Sequence, residues 1–325
     1  MTLSPSSARR TLAVALIAAL WAAGCAPATD PATTGGPGRA GDTIAAEVAS
    51  FDLVARRADR FIIGVWSVDQ TTLLAYGTIE LTFTHLDEPE ASADPPSVTA
   101  RFLPLPGQDI DPAAPGPRFV SGAEATGVYG SPDVTFGQPG FWEVTVTATV
   151  DGQHHSTTAA FEVHERSDIP AVGDPAPRTR QPLAGDPHVG PRSIYSRAGP
   201  GQPIPVPGLH DITIADAIDA GLPVMVVIST PTYCVSRFCG PITDIIYDLA
   251  LRHRGDMAFV HLEVWADFEN QRLNSAALEW IAPTDRTNGG EPWVFVIDRH
   301  GIISHRFDNV ATDAELQQSI RDVLS

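Results

Sequence analysis

Three cysteines occur in 325 residues, and two of them, Cys234 and Cys239, stand five positions apart. They follow a short apolar run, Val224–Ile228, that breaks at Ser229-Thr230-Pro231, and they precede Gly240-Pro241. Beyond them Ile242, Ile245, Ile246 and Leu249 recur at helical spacing until Gly255. The pattern predicts a buried strand, a turn carrying two thiols, and a helix entered through those thiols. A helix N-terminus favours the thiolate, which is the form that attacks disulfides. Residues five apart in an α-helix are separated by about 7.5 Å of rise and roughly 140° of rotation. A bonded pair at that spacing therefore excludes regular helix over 235–238, because disulfides need Cα atoms within about 7 Å. The helix is expected to begin at Gly240-Pro241, where proline is tolerated. As a structural staple, so small a loop returns only about 2 kcal/mol in the chain-entropy model. Placement at a helix entrance makes redox use the leading reading; an adaptor protein with silent thiols is the second and a metal-handling protein the third.

The elements around this corner divide into blocks. Residues 1–25 read as an export signal: Arg9-Arg10, an apolar run from Thr11 to Ala23, then Ala22-Ala23-Gly24-Cys25. The apolar run is short for a transmembrane helix. The last four residues resemble the lipobox of bacterial lipoproteins, which implies that Cys25 is lipidated and holds the chain to the extracytoplasmic face of a cell membrane. With Cys25 assigned to lipid, an even pair remains in a disulfide-permissive compartment. Residues 26–45, rich in Pro, Gly, Ala and Thr, are expected to be a flexible tether. The formal charge of -18, from 21 arginines against 39 acidic residues, argues against nucleic acid and against adhesion to anionic lipid through a basic surface.

Residues 46–165 alternate with period two. Ile79, Leu81 and Phe83 interleave with Glu80, Thr82 and Thr84, and Val144, Val146, Ala148 and Val150 with Thr145, Thr147 and Thr149. A turn at Asp151-Gly152 leads into Ala159, Phe161 and Val163. Such runs predict antiparallel strands in a β-sandwich. Pro139-Gly140-Phe141-Trp142-Glu143-Val144 resembles a late strand of bacterial immunoglobulin-like modules. His85, His154, His155 and His164 also lie in this block, and are expected to be solvated turn or surface residues in preference to copper ligands. Residues 166–207 form a proline-rich linker, and 208–325 the block that holds the thiols.

In that last block the strand–thiol turn–helix corner resembles the thioredoxin-like superfamily. Val172-Gly173-Asp174-Pro175-Ala176-Pro177 resembles the lead-in of peroxiredoxin and TlpA-type domains. The stretch Pro292-Trp293-Val294-Phe295-Val296-Ile297-Asp298-Arg299-His300-Gly301-Ile302-Ile303 resembles the TlpA-type hairpin. The resemblance implies an α/β thioredoxin-like fold and a thiol–disulfide oxidoreductase that needs no cofactor and no metal. Its partners would be protein thiols and disulfides outside the cytoplasm. It also implies that Pro292 is cis and, with Glu291, borders the substrate groove. Two alignments stay open. One makes Cys234 the exposed nucleophile and Cys239 the resolving thiol; the other matches Cys239-Gly240-Pro241 to C-G-P. The first is preferred, because Thr230–Tyr233 then occupies the strand-to-helix turn. One peroxiredoxin class shares the C-x4-C spacing, but Pro231 stands where it keeps threonine. Copper-delivering relatives use a different cysteine spacing plus a distant histidine, for which His261, His300 and His305 are the candidates.

Overall fold

The computed structural model describes residues 43–87, 97–108, 116–199, 201–234, 236–282 and 290–325. The export signal, Cys25 and the tether as far as residue 42 lie outside the described residues.

The period-two block forms nine strands: β1 (Ile44–Val48), β2 (Ala58–Ser67), β3 (Leu73–Ala75), β4 (Thr78–His85), β5 (Ser97–Pro104), β6 (Arg118–Val120), β7 (Gly127–Thr135), β8 (Gly140–Val150) and β9 (Gln153–Val163). All are hydrogen-bonded into one antiparallel sheet in the order β6-β3-β2-β7-β5-β4-β8-β9, with β1 on β2. Alternation decides which side chains turn inward. Ile79, Leu81 and Phe83 of β4 are buried, and Leu81 stands opposite Val146 and Phe83 opposite Val144. The sheet curls until β1 lies against β9. The enclosed core is aromatic, with Phe61, Phe83, Phe136 and Phe161 in mutual contact and Trp142 against Phe136. Between β8 and β9, Asp151 and Gly152 both take positive φ (50° and 78°), the backbone that a tight Asp-Gly hairpin turn requires.

Further along come α1 (Pro191–Ile194), α2 (Ile214–Asp219), β10 (Val224–Ser229), α3 (Cys239–Arg252), β11 (Ala258–Glu263), β12 (Trp265–Asp267), β13 (Arg272–Leu273), α4 (Ser275–Ile281), β14 (Trp293–Ile297), β15 (Ile303–Asp308) and α5 (Asp313–Leu324). The second sheet has the order β11-β10-β14-β15. β10 pairs parallel with β11 and antiparallel with β14, and β14 with β15 is antiparallel. β10, β11 and β14 are buried at every position, as continuous apolar strands covered on both faces must be. Ile214 and Ile218 of α2 and Ala277 and Trp280 of α4 cover one face. Ile242, Ile246 and Leu249 of α3 and Leu316 and Ile320 of α5 cover the other. Thr312 and Glu315 cap α5 reciprocally.

Two expectations are corrected here. The first block is one continuous antiparallel sheet, where an immunoglobulin-like sandwich would have two sheets packed together. The α/β thioredoxin-like domain is not supported either: strand predominates among the described residues, and three of their five α-helices span only four, six and seven residues. The physical reason is that the motifs behind that resemblance are local. A helix N-terminus after a strand, or a proline before a hairpin, is a short-range solution that says nothing about the larger sheet around it.

All described residues belong to one compact unit, and the two sheets are bonded to each other. Arg60 of β2 donates to Glu315 Oε1 (3.2 Å) and to the carbonyls of Asp308 (3.3 Å) and Val310 (2.5 Å). Arg306 of β15 reaches Asp52 Oδ2 (2.7 Å) and Ser167 Oγ (3.3 Å), and stacks 5.5 Å from the Trp293 ring. Asp308 Oδ2 accepts from the backbone N–H of Phe51 at 2.8 Å.

Candidate functional site

Cys234 and Cys239 are joined in a disulfide with Cα atoms 6.2 Å apart. Cys239 is the first residue of α3, one position ahead of the expected start, and Cys234 lies outside the helix in the turn that leaves β10. The turn is closed by the Cys234 N–H donating to the Thr230 carbonyl (3.1 Å). The Thr232 N–H donates to Ser196 Oγ at 3.1 Å, so the proline-rich segment holds the turn from the side. Tyr233 stacks on Phe268 with ring centroids 3.9 Å apart and planes within 1°, and Trp265 meets Phe268 edge-on.

The two sulfurs differ in access. Cys239 is 0% exposed, whereas Cys234 is half-buried, and its Sγ lies 3.2 Å from Ser236 Oγ. Beneath Cys239, Thr243 Oγ1 donates to the cysteine's own carbonyl (2.7 Å) and pairs with Ser229 Oγ (2.7 Å). His261 Nε2 then lies 3.0 Å from the Ser229 carbonyl. His261 sits among Tyr195 and His210, and burial drives both imidazoles toward the neutral form, His210 down to about 4.

Phe238 comes directly before Cys239, and its side chain packs on the first sheet, against the cluster of Ile62, Leu103, Leu105 and Val128 with Val310. The Arg237 guanidinium also approaches Gly122, its Nη1 lying 3.4 Å from where a Cβ on that glycine would stand. The antiparallel sheet thus positions the loop between the cysteines.

Glu291 also lies close to the disulfide. One of its carboxylate oxygens and both sulfurs lie within 4.8 Å of one another. Glu291 Oε2 is fully enclosed and has no hydrogen-bond partner among the described residues. Burial, reinforced by the carboxylate of Glu263, pushes the Glu291 carboxyl up to about 8, against an opposing pull from the Thr230 backbone N–H. Glu263 ends β11 and is itself 1% exposed; burial raises it, while hydrogen bonds, including that from the Ser196 N–H to Oε2 (2.7 Å), act the other way. The Glu291–Pro292 peptide is cis, the Pro292 ring is buried, and its carbonyl accepts from the Asn309 N–H at 2.9 Å.

The structure therefore brings together Cys234, Cys239 and Glu291, with Pro292 joined to Glu291 through the cis bond, while Cys25 lies outside the described residues. The histidines scatter. His155 Nδ1 bonds Thr43 Oγ1, His154 Nδ1 bonds Thr149 Oγ1, and His85 Nε2 lies 3.0 Å from the Pro139 carbonyl. His164 lies 3.8 Å from Glu162, His300 is exposed on a turn, and His305 pairs with Asp322. None joins the cysteines in a ligating cluster among the described residues.

Sequence reasoning missed Ser196, Phe238 and Glu263. Glu263 left one signal, a lone carboxylate closing a stretch, Ala258-Phe259-Val260-His261-Leu262, that is apolar but for one histidine. A buried acid with no basic partner is uncommon unless its site uses it. No family model, curated protein or solved structure matches this chain.

Proposed function

We propose that this protein carries out thiol–disulfide exchange through the Cys234–Cys239 pair, outside the cytoplasm and anchored to a membrane through lipid on Cys25. The observation that carries the reading is the unequal burial of the two cysteines: Cys234 is only half-buried, while Cys239 is wholly enclosed at the first turn of α3. That is the asymmetry a two-thiol exchanger needs. In the reduced protein the Cys234 thiolate attacks a partner disulfide, forms a mixed disulfide and expels one partner thiol. The Cys239 thiolate, favoured by its place at the helix N-terminus, then attacks Cys234 Sγ and expels the second. Two electrons pass to the partner, and the intramolecular disulfide remains. The same steps in reverse oxidise a partner dithiol. Tyr233, held flat against Phe268, fixes the residue before the attacked sulfur. The lipid anchor rests on the Ala22-Ala23-Gly24-Cys25 motif and its preceding apolar run.

Replacing Cys239 with alanine removes the resolving thiol, so mixed disulfides between Cys234 and partner proteins should accumulate on non-reducing gels. Cys234→Ala should accumulate far fewer. Equal trapping by both variants would defeat the assignment of roles. Trapping by neither would leave the adaptor reading in its place.

A further inference from the structure

The sulfurs and the acid beside them also form the beginnings of a metal site. Three potential ligands from three separate segments converge: Cys234 from the turn, Cys239 from the start of α3, and Glu291 from the approach to β14. Their ligating atoms lie within 4.8 Å of one another while the sulfurs are still bonded. Tetrahedral zinc, with Zn–S near 2.3 Å and Zn–O near 2.0 Å, needs about 3.8 Å between sulfurs and about 3.5 Å from each sulfur to the oxygen. A Cα separation of 6.2 Å leaves room for the reduced thiolates to part by that amount through side-chain rotation.

The second observation is the enclosed oxygen of Glu291. Buried polar atoms nearly always have a partner, and this one has none among the described residues. Neither Glu291 nor Glu263 has a basic side chain within ion-pair distance among the described residues. Reduction brings two ionisable thiols to the same spot. An ion with two positive charges would neutralise that accumulation and occupy the orphaned oxygen in one step.

We infer that the reduced protein binds one thiophilic divalent cation of the zinc class through Cys234 Sγ, Cys239 Sγ and the Glu291 carboxylate, leaving a fourth position for water or an exogenous ligand. Binding displaces the thiol protons as the thiolates form. The disulfide form lacks thiolates and does not bind, so the site exists in one redox state only. This rests on the exchange reading in one respect, that the disulfide is reducible.

The test uses the full chain, reduced and then freed of reductant under anaerobic conditions. Zn²⁺ is titrated against a chromophoric chelator, and Co²⁺ is added to a parallel sample as a spectroscopic probe. The reduced protein should take up one equivalent, and Co²⁺ should show thiolate charge-transfer absorption with intense tetrahedral d–d bands. The oxidised protein should show neither. Glu291→Gln should weaken Zn²⁺ binding by at least about tenfold, on the scale seen when even supporting groups of metal sites are lost. Equal metal uptake by oxidised and reduced protein, or none by either, would overturn the site without any variant being made. Unchanged affinity in Glu291→Gln would overturn the carboxylate ligand. Trapping of mixed disulfides by Cys239→Ala with no metal uptake would sink this inference alone; metal uptake without trapping would sink exchange alone.

Discussion

If the antiparallel sheet holds the cysteine loop through Phe238, truncating that side chain should change the reduction potential of a disulfide it does not touch in the covalent sense. In the oxidised protein the bond between Cys234 and Cys239 already restricts the loop, so docking Phe238 on Ile62, Leu103, Leu105, Val128 and Val310 orders little more chain. In the reduced protein the loop is freer, and docking costs more entropy. Docking therefore favours the oxidised form. Full burial of a phenylalanine contributes roughly 1.5–3 kcal/mol, and this ring is only partly buried, so about 1.4 kcal/mol is the contribution at stake. For a two-electron couple that corresponds to about 30 mV, or a tenfold change in equilibrium constant. Phe238→Ala should accordingly make the disulfide easier to reduce by up to about 30 mV. Equilibration against a glutathione or dithiothreitol redox series, read by thiol alkylation, measures this directly. Phe238→Leu, which keeps much of the apolar volume, should recover most of the shift. A change of less than about 5 mV would show that the docking is equal in both states, and a shift toward a more negative potential would show that it favours the reduced form; either result would refute this reasoning.

Three other outcomes are expected. Arg306→Met should destabilise the chain by about 3 kcal/mol, because it leaves the buried Asp52 and Asp59 with Arg57 as their one basic partner among the described residues; thermal melts should fall by several degrees, and Asp52→Asn on the same background should restore part of the loss. Acid should weaken the same junction: burial acts to raise Asp52, but Arg306, Ser167 and Arg57 outweigh it and hold the carboxyl below its ordinary value of 3.8. Its contribution is complete above about pH 4 and is lost as pH falls through the folded-state value, so melts between pH 5 and 3 should drop less steeply for Asp52→Asn, even though Asp308, raised by its own burial, works in the opposite sense. Finally, Cys25→Ser should move the protein from the membrane fraction to the soluble one, and an unprocessed, membrane-bound variant would count against the lipid anchor.

What was legible in the chain was whatever a short window can hold. Alternation in Thr78–His85 and Gly140–Val150 marks strands because each inward residue is two positions from the next. The Asp151-Gly152 turn is visible because few residue pairs accept positive φ twice in succession. Five-residue spacing excluded helix between bonded cysteines by geometry alone, and α3 does begin at Cys239. Strand order was not legible: β2 pairs with β7, and β5 with both β7 and β4, and nothing in a period-two pattern distinguishes one partner from another. That is why the alternation predicts a two-layer sandwich where one curled sheet exists.

The site divides along the same line. Cys234 and Cys239 announce themselves by type and spacing, but the groups that would give them direction come from far away in sequence. Ser196 lies before β10, Glu263 ends β11 and Glu291 precedes β14, and only the folded chain sets them around one bond. Phe238 is the most instructive case. By sequence it is one aromatic in a loop, and loops usually carry such residues to the surface. By structure it links that loop to side chains of β2, β5 and β7, all more than a hundred residues earlier. If the sheet were only a spacer between membrane and thiols, its strands would have no reason to accept a side chain from between the two cysteines. Because they do accept it, a change in that sheet that loosens Ile62 or Leu103 should reach the sulfurs without altering any residue beside them.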